Sequence, residues 1–158
     1  MEKVFVGKII NTHGIKGELK ISTDFKYMED VFIVGNTLYI LDKSFVISSV
    51  RVHKGCKLVC FEGYSDINDV LMFKGKDCYI DRNILSSDCI LNSDIIGFDV
   101  IVGNRNIGVL DSIIKNSVHE ILVVGKTMIP YVDFFVKEID FDKNCIYVNE
   151  VEGLVKWE

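Results

Sequence analysis

Short apolar runs rich in Val, Ile, Phe and Tyr, separated by polar or glycine-containing turns, constrain the fold of this chain more than any other feature. Several of the runs alternate apolar and polar residues, which is the period-two pattern of a half-buried β-strand. In the first half of the chain they cover residues 4–10, 17–22, 37–41, 45–53, 57–63 and 77–81. Strands joined by short turns predict a meander that closes into a small barrel.

One helix is predicted within this first set of strands. Residues 65–76, SDINDVLMFKGK, begin with Ser65 or Asp66 as a helix cap and end at Gly75, a residue type that commonly stops helices. The apolar residues between these signals, at positions 67, 70, 71 and 73, fall on one side of the helix. Residues 77–81 then return as a strand.

A polar stretch divides the chain into two parts. Residues 82–94, RNILSSDCILNSD, lose the alternation and are rich in Ser, Asn and Asp, as linkers are. We predict a first domain over residues 1–84, a linker over 85–94 and a second domain over 95–158. The second domain has apolar runs at 95–102, 107–115, 119–124, 127–132 and 151–157 and a hairpin at 136–149. The predicted fold class is mostly β, with two small β-barrels and one short helix.

Composition and length restrict the class of protein. The 158 residues are 49% hydrophobic and 26% charged, which is typical of a globular protein. The longest apolar runs are shorter than the roughly 20 residues that cross a bilayer, and the N-terminus lacks a signal peptide's features. We therefore expect a soluble, cytoplasmic protein. Five cysteines without a C-x-x-C pair indicate reduced thiols, so no metal site and no cofactor are predicted.

The charge is distributed unevenly. Residues 1–86 carry 12 Lys+Arg and 11 Asp+Glu, whereas residues 87–158 carry 6 and 12. An acidic surface repels nucleic acid and suits a basic partner. Modest acidity also keeps a protein soluble, and the charge alone favours that simpler interpretation.

The segment THGIKG, residues 12–17, is the most distinctive local motif. It matches neither the dinucleotide-binding nor the P-loop pattern, and a strand rather than a helix follows it, so a phosphate cradle at a helix N-terminus is excluded. His13 lacks a marked nucleophile beside it, which weakens a catalytic role. We interpret the segment as a turn in which Gly14 and Gly17 adopt positive φ, leaving His13 and Lys16 exposed to a partner.

Three further motifs have plainer structural explanations. Residues 140–151 resemble a calcium loop at their start, but Cys145 occupies the glycine position, so a strand–turn–strand is predicted. Residues 128–135, MIPYVDFF, predict an edge strand that turns at Pro130 and places most of the rings of Tyr131, Phe134 and Phe135 in the core. The alternative is an aromatic patch exposed for a protein partner. His53 and His119 stand alone in strands, without a G-x-S-x-G motif.

These pieces together resemble one family. Residues 6–21, VGKIINTHGIKGELKI, are similar to the opening motif of the bacterial ribosome maturation factors called RimM. Residues 57–82, 93–113 and 128–154 resemble, in order, that family's strand–helix–strand, its entry to the PRC-barrel domain and its C-terminal motif. The resemblance covers essentially the whole chain. It implies a translation-factor-like barrel followed by a PRC-barrel.

The resemblance also implies a function without catalysis. RimM proteins bind the immature small ribosomal subunit, contact a basic ribosomal protein of its head, and assist folding and processing of 16S rRNA. The candidate partner-binding residues fall on the quoted motifs: His13, Gly14, Lys16, Gly17, Asp94 and Tyr131. Neither a membrane nor a small-molecule substrate is expected. The family's aromatic pair before the second domain is replaced here by Cys89 and Ile90, and Val70 stands where alanine is usual.

Two other functions remain open at this stage. Small β-barrel enzymes such as flavin reductases share the coarse strand pattern of the first domain, and they would be recognised by a bound chromophore. A generic PRC-barrel adaptor without a ribosomal partner would share the pattern of the second domain.

Overall fold

The computed structural model describes residues 1–155 of the chain, and its contacts divide the chain into two compact units. The first unit is Met1–Cys89, and the second begins at Ile90. Strands dominate both units, so the predicted mostly-β class is confirmed. Within residues 1–155, the helices are all too short to span a membrane.

The first unit is a closed six-stranded barrel in which neighbouring strands run antiparallel. Its strands are β1 (Lys3–His13), β2 (Glu18–Ser22), β3 (Thr37–Ile40), β4 (Lys43–His53), β5 (Cys56–Phe61) and β6 (Asp77–Asp81). Around the ring their order is β1-β2-β5-β4-β3-β6. The predicted barrel is therefore present, and its strands are a few residues longer or shorter than the predicted runs.

Two long strands bend to close this ring. β1 and β4 are each 11 residues long, and each carries a shift in register of the kind that β-bulges produce. Bulges let a strand turn sharply enough to pair with both neighbours in a barrel. Gly7 lies at one such shift in β1, where a Cβ atom would come within 2.8 Å of the Ser22 carbonyl oxygen. A glycine is required there because the two backbones approach so closely.

The interior of the barrel is apolar and follows the period-two pattern. In β2, for example, Leu19 and Ile21 are fully buried while the residues between and beside them are not. Aromatic rings close one part of the core through edge-to-face and tilted contacts, with Phe45, Phe61, Phe73 and Tyr64 packed at centroid distances of 4.8 to 6.0 Å.

The predicted helix is present but shorter than the predicted range of residues 65–76. Helix α2 (Ile67–Val70) continues as a 3-10 turn over Leu71–Phe73, and Gly75 then adopts a φ of 83°. Asp66 caps it by accepting the Asn68 N–H at 2.8 Å, as the sequence indicates. Two further single-turn helices were not predicted: α1 (Met28–Val31), and α3 (Asn92–Ile95), which lies at the end of the predicted linker.

Helix α1 is tied to the barrel by an ion pair with one buried member. Lys57 on β5 has a side chain only 8% exposed, and its Nζ lies 2.9 Å from Oε1 of Glu29 on α1. Glu29 itself is 81% exposed. A buried ammonium group needs a charged or polar partner, because desolvation strongly disfavours it otherwise. The contact therefore holds α1 against β5.

The second unit contains two sheets around one core. The strands are β7 (Asp99–Val102), β8 (Arg105–Val109), β9 (Ser112–Lys115), β10 (Glu120–Val124), β11 (Thr127–Pro130), β12 (Val136–Asp140) and β13 (Cys145–Val148). One sheet has the order β11-β10-β9 and the other β12-β13-β7-β8. β13 and β7 are parallel, and β11 is an edge strand, as its proline predicts. Buried residues of both sheets, among them Val100, Leu122 and Ile146, form a single core cluster.

Three predicted runs of the second unit differ from the structure. The run 95–102 starts within α3, and β7 begins only at Asp99. The run 107–115 is divided into β8 and β9 at Leu110 and Asp111, where the chain passes from one sheet to the other. The run 151–157 forms no strand over residues 151–155, and its end lies outside the described residues. The predicted hairpin over 136–149 is confirmed as β12 and β13.

We expect the Glu29→Ala variant to be less stable than the wild type by about 1–2 kcal/mol, because it leaves the Lys57 ammonium buried without its carboxylate. Lys57→Met removes the charge and keeps the aliphatic packing, so it should cost less than Glu29→Ala. Urea denaturation followed by far-UV circular dichroism measures both. A larger loss for Lys57→Met would contradict the assigned role of this pair.

Candidate functional site

The turn between β1 and β2 has the glycine conformations that the sequence predicts. Gly14 has a φ of 68° and Gly17 a φ of 84°, both in the left-handed region. A Cβ atom on Gly14 would meet nothing within 4 Å, whereas one on Gly17 would lie 2.6 Å from the Tyr64 carbonyl oxygen. The Ile67 N–H also donates to the Ile15 carbonyl at 3.0 Å. The turn is thus docked on the segment that leads into α2.

His13 is not exposed as predicted. It is half-buried, because its ring packs against the ring of His53 on β4, with the centroids 4.9 Å apart. His53 therefore does not stand alone, which corrects the interpretation from its strand pattern. Lys16, in contrast, is exposed at the tip of the turn, as expected. The contact crosses the end of the barrel from β1 to β4, past β2 and β5.

A bidentate ion pair lies beside the two histidines. Arg51 donates from Nε to Glu18 Oε2 at 2.8 Å and from Nη2 to Glu18 Oε1 at 2.9 Å. These hydrogen bonds lower the pKa of Glu18, and the nearby His13 and His53 lower it further. Both carboxylate oxygens are thus engaged by one guanidinium, a geometry that suits Arg in particular.

Further cations surround His53. Its partial burial lowers its pKa, and the neighbouring His13, Lys54, Arg51 and Lys20 lower it further by charge repulsion. Lys54 and Gly55 form the turn of the β4–β5 hairpin, with φ values of 49° and 78°. The sequence pattern singled out neither Arg51 nor Lys54. The Lys-Gly pair between two strands does mark a tight hairpin. It does not show which side chains lie beside the tip of that hairpin.

The two candidate residues of the second unit, Asp94 and Tyr131, lie in segments that hydrogen-bond to Glu120. Asp94 Oδ2 accepts the Leu91 N–H at 2.9 Å and so caps α3. The side-chain amide of Asn92, also on α3, donates to the Glu120 carboxylate. The backbone N–H of Tyr131 donates to the Glu120 carbonyl at 2.9 Å. Asp94 therefore has a structural role, and its role in partner binding stays a prediction.

Phe134 is the one of these three rings that lies outside the core, and the prediction placed most of them inside it. Its side chain is 70% exposed, whereas Tyr131 and Phe135 are half-buried and pack against the core of the second unit. The reason is a turn after Pro130, in which the Phe135 and Val136 N–H groups both donate to the Val132 carbonyl. This turn directs consecutive residues away from the sheet, so period-two alternation no longer decides which ring is buried.

The described residues 1–155 contain no group of three or more His, Cys, Asp or Glu side chains that could hold a metal ion. At the calcium-like segment, Asp140 Oδ1 instead accepts the N–H groups of Asp142 and Lys143 at 2.9 and 3.1 Å. These bonds shape the β12–β13 turn, as the sequence predicts.

We expect Gly17→Ala to lower the free energy of unfolding by about 2–4 kcal/mol, because left-handed strain and a backbone clash add together. Gly14→Ala has the strain without the clash and should cost about 1 kcal/mol. Urea denaturation of the two variants under the same conditions measures the difference. Equal losses would show that the contact with Tyr64 does not hold the turn.

Comparisons with known proteins match both units. Residues 4–85 match the RimM N-terminal domain and residues 92–154 match the RimM PRC barrel domain. The solved N-terminal domain of RimM from Thermus thermophilus aligns with 54% of this chain and 96% of its own, at 17% identity and a TM-score of 0.47.

Two curated relatives match along nearly their full length. The ribosome maturation factor RimM of Oceanobacillus iheyensis is 37% identical, over 97% of this chain and 97% of its own. That of Limosilactobacillus reuteri is 35% identical, over 98% of this chain and 99% of its own. Both relatives are named as ribosome maturation factors, so neither the flavin-reductase alternative nor a generic adaptor is supported by these matches. With both domain matches in sequence order and these identities over almost the entire chain, the protein belongs to the RimM family.

Proposed function

We propose that this chain is a non-catalytic assembly factor that binds the immature small ribosomal subunit and assists 16S rRNA folding and processing. It reaches the head of the subunit through a basic ribosomal protein and acts without a cofactor. The observation that carries this proposal is the match of both units, in order, to the two RimM domains.

Such a factor works by binding energy alone. A protein that binds one conformation of the head more tightly than the others shifts the RNA population toward that conformation, by as much as the affinities differ. Neither a nucleophile nor a bound metal is needed for this effect. The paired histidines and the Arg51–Glu18 ion pair accordingly serve here as binding and structural groups, not as an acid–base pair.

The second unit offers a surface that suits a basic protein. Its part of the chain is acidic, with 12 Asp+Glu against 6 Lys+Arg over residues 87–158. Phe134 projects from it with 70% of its side chain exposed, next to the exposed Asp133. An exposed aromatic anchor beside acidic residues matches the usual composition of a binding hot spot for a cationic partner.

The first unit is the part that lies near rRNA in this proposal. Lys16 is exposed at the tip of the β1–β2 turn, and this half of the chain has nearly balanced charges rather than an excess of acid. Because phosphates attract cations and repel carboxylates, the first unit is the better suited of the two to approach RNA.

Co-sedimentation with purified small and large ribosomal subunits tests the proposed function. We expect the wild-type protein to sediment with immature small subunits and not with large ones. Lys16→Glu and His13→Ala should each weaken this association, by about fivefold for the charge reversal, with the fold retained. Lys43→Glu, an exposed charge reversal elsewhere on the first unit, is the control. Unchanged sedimentation of both test variants would remove the turn from the interface.

A second pair of variants tests the surface for the ribosomal protein. Phe134→Ser should reduce the affinity for small subunits by about fivefold or more, as loss of an aromatic anchor does. Phe141→Ser is the matched control, since Phe141 is also exposed, at 46%, and contacts one neighbouring ring, Phe98, as Phe134 contacts Phe135. If the two variants bind equally well, Phe134 is not the anchor.

A further inference from the structure

We propose that the first unit binds the phosphate backbone of RNA on a face built from the ends of β1 and β2 and the β4–β5 hairpin, and that His13 and His53 take up protons when it binds. We call this surface the histidine face; it comprises His13, Lys20, Arg51, His53 and Lys54. The inference rests on the proposed function, in which the first unit lies against rRNA, and adds the chemical group recognised and its dependence on pH.

The fold collects positive charge on this face. Three permanent cations, Lys20, Arg51 and Lys54, lie close enough to His53 to act on it electrostatically. The carboxylate on the same face, Glu18, has both oxygens occupied by Arg51. Cys56 on β5 is the cross-strand partner of His53 and carries no charge as a thiol. The face is therefore cationic before either histidine is protonated.

The two imidazole rings of this face are in contact. Their centroids are 4.9 Å apart with the ring planes at 54°, although the rings come from strands that are not neighbours in the barrel. Two imidazolium ions at this distance repel each other, and the cations around them add to the repulsion. Partial burial and these charges keep the pKa of His53 below its ordinary value in the free protein.

A bound anion offsets the repulsion among these positive charges. A phosphate group placed against the pair favours the charged form of both rings, because it attracts them and accepts hydrogen bonds from their N–H groups. Binding therefore takes up protons from solution. By linkage, a complex that takes up protons becomes tighter as the pH falls.

The arrangement of these cations favours the phosphodiester backbone of RNA over an acidic protein. A bidentate Arg51 is already committed to a carboxylate, whereas Lys20 on β2 and Lys54 in the β4–β5 turn present compact, separate charges, which suits several phosphates in succession. Contacts of this kind give affinity without sequence readout, so the RNA recognised here is defined by its backbone.

Fluorescence anisotropy with a labelled RNA hairpin and the full chain tests the inference. At constant ionic strength, the wild-type affinity should rise about 3–10-fold between pH 8 and pH 6, since an ordinary histidine titrates near pH 6.5. His13→Gln and His53→Gln should each reduce this ratio, and the double variant should bring it below about twofold. His119→Gln, the third histidine of the chain and part of the second unit, is the matched control and should retain the full ratio.

The salt dependence provides a second measurement that does not depend on the histidines. Lys54→Gln should lower the slope of log affinity against log salt by about one, as loss of one phosphate contact does. Lys137→Gln on the second unit should leave the slope unchanged. Melting curves of every variant establish that the barrel is intact, and an affected slope in an intact Lys54→Gln variant supports the site even if a histidine variant fails to fold.

The outcomes separate this inference from the proposed function. A wild-type affinity that is independent of pH, or a ratio unchanged in the His13→Gln/His53→Gln variant, would overturn the inference. Tighter, equally pH-dependent binding of a polyglutamate peptide would overturn the choice of RNA. Co-sedimentation of wild-type protein with small subunits in either case leaves the proposed function standing. Failure to co-sediment refutes that function, and pH-dependent RNA binding then still supports the histidine face.

Discussion

Closure of the first unit by β1 is the constraint on which the rest of that unit depends. The strand pairs with β6 through residues 3–8 and with β2 through residues 8–13, so this one strand joins its two neighbours and closes the ring. It achieves this only because its register shifts twice and because Gly7 allows the Ser22 carbonyl to approach. The position of the β1–β2 turn, and with it His13, follows from this closure.

Closure also determines the electrostatics at the end of the barrel. Arg51 reaches Glu18 across β5, which neutralises that carboxylate and leaves Lys20 and Lys54 beside the histidine pair. On β5 itself, the side chain of Lys57 is buried and is paired with Glu29 of α1. One ion pair therefore organises the proposed histidine face and the other holds helix α1. Their different burial gives them different roles, since exposed pairs contribute little to stability and buried charges require a partner.

The sequence predicted most elements because they are encoded locally. The period-two runs located the barrel strands, Asp66 and Gly75 marked the limits of the α2 segment, and the positive φ of Gly14 and Gly17 followed from their place in a turn. The failures have physical reasons too. Helix α1 is a single turn without an apolar period of its own, and it is held by the distant Lys57. Phe134 lies in a turn, where alternation along the chain does not predict which side chains are buried.

By itself, the sequence determined the β class of this protein, the glycine-shaped turn, and membership of the RimM family, which rests on motifs such as residues 6–21. Only the tertiary structure decided which side chains meet: His13 with His53, Glu18 with Arg51, and Glu29 with Lys57. The reason is that alternation along a strand records only which face is buried. Contacts between non-neighbouring strands depend on register and on ring closure, which are properties of the whole barrel.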